Sequence, residues 1–380
     1  MNIPSKLPNV GTTIFTVMSA LAKEHKAINL SQGFPNYDCA PELKQLVNKY
    51  LQNNFNQYAP MGGANVLLEK LAQKIEKLYG AVLNPQSEIT ITAGATQALF
   101  TAITTFVRAG DEVILIEPAY DSYGPSVEVC GGIVVPYELK APDFKIDWEK
   151  LKSLITSKTR MFIINTPHNP TGTILSDEDL KMVERIAEEN DLIVLSDEVY
   201  EHLIFDDELH QSVLRFPKLF QRSVAVYSFG KTFHSTGWKI GYCVAPEHLM
   251  KEFRKVHQFN VFSVNSFVQH AIAEYLEDDS TYLSLPHFYQ QKRDYFLEKI
   301  EHSKFRPIPC KGTYFQLVDY SEISAEPEVA FAKRMTKEFG VAVIPVSAFY
   351  TKKINQKVVR VCFAKTENLL AEAADLLCKI

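Results

Sequence analysis

From about residue 64 the chain alternates helical stripes with short apolar runs, and several of those runs are continuously apolar rather than alternating. Residues 64–79 set Leu67, Leu68, Leu71, Ile75 and Leu78 on one helical face. Strand-length runs follow at 88–92, 113–117, 133–136, 161–164, 192–196, 224–228 and 241–244. Helical stretches lie between them, such as 96–108 and 176–190, the latter opened by Ser176 and an acidic first turn. A continuously apolar strand must be covered on both faces. The pattern therefore predicts an α/β fold with a large, mostly parallel sheet between helical layers. From about 285 the texture changes to a polar helix (His287 to about Glu301), a Gly-Thr-Tyr-Phe strand, an acidic helix, strands at 341–345 and 357–363, and a last helix. That reads as a smaller α+β domain. A ligand crevice is expected at the carboxyl ends of the parallel strands, facing it.

Composition narrows the partners. With 380 residues, 46% apolar and 22% charged, the chain has material for one large or two ordinary domains and is not disordered. Forty Lys and Arg against 45 Asp and Glu give a net charge of −5 with no basic cluster, which argues against a nucleic-acid partner. No run approaches the roughly 18 apolar residues of a membrane span, so no membrane partner is expected. The opening MNIPSKLPNVGTTIF lacks the apolar core of a signal peptide. Six dispersed cysteines without a CxxC pair suggest reduced thiols, and cytoplasmic localisation is the expectation. Ten histidines without HExxH or clustered spacing imply no metal.

Four segments follow predicted strands and carry chemistry. SFGKTFHSTGWKIGY (228–242) contains Gly-Lys-Thr, yet a phosphate loop needs glycine at 225, which is Ala225. A partly buried Lys231 would instead have its amine pKa lowered toward nucleophilic use; a solvated lysine at a strand end is the equal alternative. LSDEVY (195–200) puts Asp197 at a strand's carboxyl end, where it could hold a cationic group or simply cap a turn. NTPHNPTG (165–172) fixes a tight loop in which Asn169 could present an amide, or be an ordinary turn residue. ITITAGATQAL (89–99) offers the backbone N–H groups of Gly94, Ala95 and Thr96 at a helix start, a phosphate cradle or a plain strand-to-helix turn.

Taken together, SQGFPN, NQYAPMGG, EPAYDSY, NTPHNPTG, SDEVYEH and SFGKTFHSTGWK resemble, in that order and over essentially the full length, the class I pyridoxal-phosphate-dependent aminotransferases. The methionine and kynurenine/glutamine transaminase branch is the most similar. The resemblance implies the aspartate-aminotransferase-like fold and pyridoxal 5′-phosphate as cofactor. Lys231 would bond the cofactor and shuttle the substrate proton. Asp197 would pair with the pyridinium nitrogen, Tyr200 and Asn169 would hydrogen-bond the ring's 3′ oxygen, and Tyr120 would stack on the ring. Gly94, Ala95, Thr96, Ser228 and Lys239 would hold the phosphate, with Tyr58 reaching over from the second subunit of a homodimer. Lys239 departs from the arginine of aspartate aminotransferases and fits the GWK form of this branch. Arg360, in VVRVCFAK, would clamp the substrate α-carboxylate, with Gly33 allowing close backbone approach and Phe15 lining the side-chain pocket.

The implied domains are a large cofactor-binding one, residues 36–285, and a small one built from 1–35 and 286–380. The implied activity is transfer of an amino group from an L-amino acid to a 2-oxo acid by ping-pong half-reactions. Methionine is the favoured donor, with aromatic amino acids, histidine or glutamine also fitting. The alternatives are β-lyase chemistry on cysteine conjugates, and a regulatory protein that keeps the fold without catalysis. Against the second stand the presence of Lys231 and the expectation of no spare N-terminal domain. A nucleotide-binding kinase or dehydrogenase is disfavoured by Ala225 and by the lack of GxGxxG after the first strand.

Overall fold

A computed structural model of the chain describes Met1 and residues 3–380. Its large sheet has seven strands in the order Ile89–Thr92, Gly241–Val244, Ser223–Ser228, Ile193–Asp197, Thr159–Asn165, Glu112–Glu117 and Ile133–Glu138. Gly241–Val244 runs antiparallel to both neighbours, and every other pairing is parallel. Successive residues of the central strands enter two different cores, which is why the runs are continuously apolar. Ile114, Ile116, Phe162, Ile164 and Val194 join Leu180, Val183 and Ile186 on one face. Val113, Leu115, Met161, Ile163 and Leu195 join Ala98, Leu99, Ile103, Met250 and Phe253 on the other. Each such side chain contributes about 1.5–3 kcal/mol by leaving water. A charge at either parity in the middle of these strands would therefore be buried, and the sheet's buried carboxylates, Glu117 and Asp197, stand at strand ends.

The helices keep the expected periods with end shifts of one or two residues. Asn65–Tyr79 buries Leu67, Leu68, Leu71 and Ile75, and Asp177–Glu189 begins with a reciprocal capping box between Ser176 and Asp179. Leu285–Lys299 starts two residues before the sequence expectation, with Pro286 in its first turn.

The expected 341–345 strand is divided between two sheets. Val341–Ala342 pairs in parallel with Ile28–Asn29, whereas Ile344–Pro345 pairs antiparallel with the Val358–Cys362 strand. The division arises because the N-terminal segment needs an edge: Ile28 N–H donates to Gly340 O (2.8 Å) and Leu30 N–H to Ala342 O (3.0 Å). Val358–Cys362 also pairs with Phe315–Asp319, setting Arg360 opposite Leu317 and Ile344 in the middle of a four-stranded sheet. Cys362 N–H donates to Leu30 O (2.9 Å), which stitches residues from both chain ends together and lays Gly33 beside Arg360. The two sheets meet where Ala119 N–H donates to Phe349 O (2.9 Å). All six cysteines are free.

Candidate active site

The chain enters the parallel sheet at Glu112–Glu117, crosses outward to Ile133–Glu138, then returns through Thr159–Asn165 to Ile193–Asp197 and Ser223–Ser228. The order reverses between Glu112–Glu117 and Thr159–Asn165, and loops diverging from such a point leave a crevice at the strand ends. A cavity of about 150 Å³ occupies it. Gly94, Ala95, Thr96 and Tyr120 line one part; Asn169, Asp197, Tyr200, Ser228, Lys231 and Lys239 line the rest.

Lys231 stands on a single helical turn, Phe229–Thr232, immediately after the Ser223–Ser228 strand. Its Nζ donates to Tyr314 Oη (2.7 Å) and Gly33 O (3.2 Å). Removal from water lowers its pKa to about 8, with Arg360 and Lys239 acting in the same direction and Asp197 opposing. A neutral, nucleophilic fraction is therefore present near neutral pH. Among the described residues no acid touches this amine; its two partners are a phenol and a carbonyl.

Asp197 closes its strand and is buried. Tyr123 Oη donates to its Oδ2 (2.5 Å) and Val199 N–H to its Oδ1 (3.3 Å), while its backbone oxygen accepts from Asn165 Nδ2 (2.8 Å). Burial pushes its pKa up to about 6 against those two donors. A carboxylate so placed is completed by a cationic N–H in the cavity.

At the far end, helix Ala95–Phe106 starts from Gly94, whose φ of 78° is open to glycine, and no side chain caps it. A Cβ on Gly94 would lie 3.4 Å from Lys239 Nζ. The first-turn N–H groups and the Lys239 ammonium thus face one small volume, suited to a phosphate. Thr96 Oγ1 and Tyr120 Oη lie 3.4 Å apart beside it.

Arg360 is 1% exposed, with its guanidinium stacked 3.8 Å from the Phe315 ring centroid and 5.3 Å from that of Phe15. It donates from Nη1 to Asn169 Oδ1 (2.8 Å) and from Nη2 to Ser31 O (3.2 Å), while Nε has no partner. Both acceptors are neutral, so the guanidinium keeps its capacity for a carboxylate. Burial lowers its pKa to about 10, still charged at neutral pH. Gly33 lacks a side chain for a packing reason: a Cβ there would sit 2.8 Å from Phe315 Cζ.

The structure therefore gathers thirteen of the fourteen sequence-predicted residues around one cavity and its mouth. Tyr58 lies apart from its own chain's cavity, 83% exposed, with its ring 5.4 Å from that of Phe262. Three contributors escaped the sequence reading. Tyr123 stands three residues after Tyr120, the spacing of one helical turn, and Asn165 ends an apolar strand; both signals were available. Tyr314 had none, because 83 residues separate it from Lys231.

A larger cavity of about 750 Å³ lies by Phe144, Leu175 and Leu209 under a rim that includes Asp143, Asp177 and Asp207. Its two lysines, Lys145 and Lys311, are exposed, and among the described residues it holds no unpartnered buried donor. The smaller cavity fits pyridoxal phosphate on its own geometry: an amine of lowered pKa, a buried carboxylate without a cation, an open helix start with a lysine, and an orphaned guanidinium donor.

Comparison with known proteins agrees. A family model described as aminotransferase class I and II matches residues 25–377. The chain is 49% identical over 374 residues to methionine aminotransferase of Escherichia coli (strain K12), covering 98% of this chain and 97% of that protein. The crystal structure of YbdL from Escherichia coli, reported to identify a methionine aminotransferase function, superposes with a TM-score of 0.98 at 48% identity over all of both chains. Aspartate aminotransferase from Thermus thermophilus with maleate superposes with a TM-score of 0.91 at 29% identity, again over all of both chains. With its fold, its site chemistry and these likenesses in agreement, the chain belongs to the class I and II aminotransferases and is a pyridoxal-phosphate-dependent transaminase of the aspartate-aminotransferase-like fold.

Proposed function

We propose that this cavity transfers the amino group of methionine to a 2-oxo acid by ping-pong half-reactions. The observation that carries this reading is the convergence of the Lys231 amine, Asp197 and Arg360 on one crevice. Arg360 binds the substrate α-carboxylate through its planar fork, and Phe15, Phe315 and Phe349 around it favour an apolar side chain over a second carboxylate. The 49% identity to methionine aminotransferase of Escherichia coli supports methionine.

When bound, pyridoxal phosphate supplies a carbonyl carbon for the amine and a cationic ring that takes up the electron pair released at the substrate Cα. Asp197 would hold the ring nitrogen's proton. Tyr200 and Asn169 donate to the 3′ oxygen; Asn169 gives its carbonyl oxygen to Arg360, which leaves its amide N–H groups for the cavity. The Gly94–Thr96 backbone, Ser228 and Lys239 would hold the phosphate, and Tyr120 would pack on the ring. Lys231 would be the base that takes the proton from the substrate Cα and the acid that gives it back.

The same reading includes a cytoplasmic homodimer in which Tyr58 reaches the partner subunit's cavity. Exposure of Tyr58, Phe259 and Phe262 supports it. It also includes a large domain of 36–285 and a small domain of 1–35 with 286–380, an assignment supported by the pairing of Ile28–Asn29 with Val341–Ala342.

A panel of amino donors against one keto-acid acceptor tests the substrate. Methionine should give the highest kcat/KM; aspartate as the best donor would contradict the assignment. In the same assay, Arg360→Lys should raise the KM for the donor by about 10- to 100-fold, because one of two charge-assisted hydrogen bonds, worth about 1.5–3 kcal/mol, is lost. A wild-type KM would remove Arg360 from carboxylate binding.

A further inference from the structure

The Tyr314 hydroxyl lies between two groups from distant parts of the chain. It donates to Gly33 O at 2.6 Å and accepts from Lys231 Nζ at 2.7 Å. Its single proton is committed to Gly33, so toward Lys231 it acts as an acceptor. The ring is fully buried, packed 5.2 Å from Tyr200, 5.9 Å from Tyr289 and 4.9 Å from Phe315. Few alternatives are open to a phenol held in this way: the rings fix its plane and Gly33 fixes its hydroxyl. Burial also keeps it protonated, its pKa lying well above the ordinary tyrosine value.

Lys231 has four methylenes and, alone in a cavity, would sample several rotamers. With Tyr314 and Gly33 O as its hydrogen-bond partners among the described residues, the free amine is held in one place, under the Tyr200 ring (5.6 Å to the centroid). A transaminating lysine must be free of the cofactor while it moves the Cα proton, and its rate depends on where the free amine rests.

We propose that Tyr314 is the parking residue for the released Lys231 amine, a positioning residue for the proton-transfer step. The inference rests on the transaminase reading for its catalytic consequence, but the Tyr314–Lys231 bond is a property of the chain itself. The two can fail separately.

The first measurement uses the cofactor-free protein: competitive labelling of Lys231 with acetic anhydride across pH, read by mass spectrometry. The groups facing the amine are Asp197, Tyr200, Tyr314, Arg360, Lys239 and the Cys362 thiol. Tyr314→Phe removes only an acceptor from the ammonium and disfavours the charged form. The labelling midpoint of Lys231 should therefore move down by about one pH unit or more, as expected for a lost hydrogen bond to a charged group. The second measurement is steady-state transamination by the loaded enzyme. Tyr314→Phe should lower kcat about tenfold, with KM for the donor within about twofold, a modest share of what general acid–base catalysis supplies. The deuterium isotope effect with α-deuterated donor should rise.

Tyr289→Phe alters the same aromatic stack without touching Lys231, and should leave both readouts at wild-type values. Should Tyr314→Phe fail to fold, 3-fluorotyrosine at 314 keeps the shape, weakens the acceptor and should move the midpoint in the same direction. An unchanged Lys231 midpoint in the variant would overturn the proposal, as would an isotope effect equal to wild type. Visible absorbance of the loaded wild-type protein reads the cofactor assignment independently.

Discussion

Lys231→Ala should abolish transamination, lowering kcat by about 10⁴-fold or more. It removes the group proposed both to bond the cofactor and to act as the base for Cα, and general acid–base catalysis alone supplies about 10²–10⁴. The loss should come without unfolding. The lysine amine is desolvated, carries no carboxylate partner and makes two hydrogen bonds to neutral oxygens. Its burial also destabilises the cofactor-free fold in a defined pH range. The folded pKa of about 8 lies below the ordinary lysine value of 10.5, so between those values the unfolded chain binds more protons and stability rises with pH. At pH 7 the wild-type protein bears the full cost of the desolvated ammonium. Cofactor-free Lys231→Ala should therefore melt no lower than wild type at pH 7, and lose the stabilisation that wild type gains from pH 8 upward. Thermal melts across pH, beside single-turnover assays, check both parts. A variant with a few per cent of wild-type kcat would refute the assignment of the base.

Asp197→Asn should lower kcat by about 10²–10³, the magnitude typical of removing one preorganised electrostatic partner from a water-poor site. The amide has the carboxylate's shape: its oxygen can still accept from Val199 N–H, and its nitrogen can donate to Tyr123 Oη. Only the charge proposed to face the ring nitrogen is lost. Without cofactor the sign of the stability effect is opposite to the activity effect. Asp197 has its folded pKa raised from 3.8 to about 6, so the folded chain binds more protons within that window and stability falls as pH rises through it. Above pH 6 the wild type carries a buried unpaired anion. The asparagine variant should lack that pH dependence and be at least as stable at pH 7. Cofactor-free melts between pH 4 and 7 read the stability, and kcat at saturating donor reads the activity. Wild-type kcat in the variant would show that Asp197 does not pair with the ring.

These predictions depend on loops whose positions were legible because strand ends are. Continuous apolar runs such as 161–164 marked strands covered twice, and the residues just beyond them (Asn169, Asp197, Lys231) lie at the crevice for the topological reason that parallel strands all point their carboxyl ends one way. The chemistry of each lone residue was ambiguous. An aspartate at a strand end and an aspartate under a cofactor have the same neighbours in sequence, and only the ordered set of motifs separated them. What remained hidden depends on tertiary contact. The meeting of Tyr314 with Lys231 requires Gly33 from the N-terminal segment and a strand from the C-terminal sheet to arrive together. The division of 341–345 between two sheets follows from a two-residue partner at Ile28–Asn29, too short to carry a pattern. Tyr58 points away from the cavity of its own chain, a placement that no local pattern around NQYAPMGG encodes.

The most direct test of the account is to add pyridoxal phosphate to the purified protein, record its visible spectrum, reduce with borohydride and map the modified peptide. A visible absorption band should form, disappear on reduction and leave the cofactor's mass on Lys231, with Lys231→Ala giving neither band nor adduct. A colourless protein after cofactor addition, or an adduct on a different lysine in the wild-type chain, would contradict the assignment of Lys231 and the site built around it.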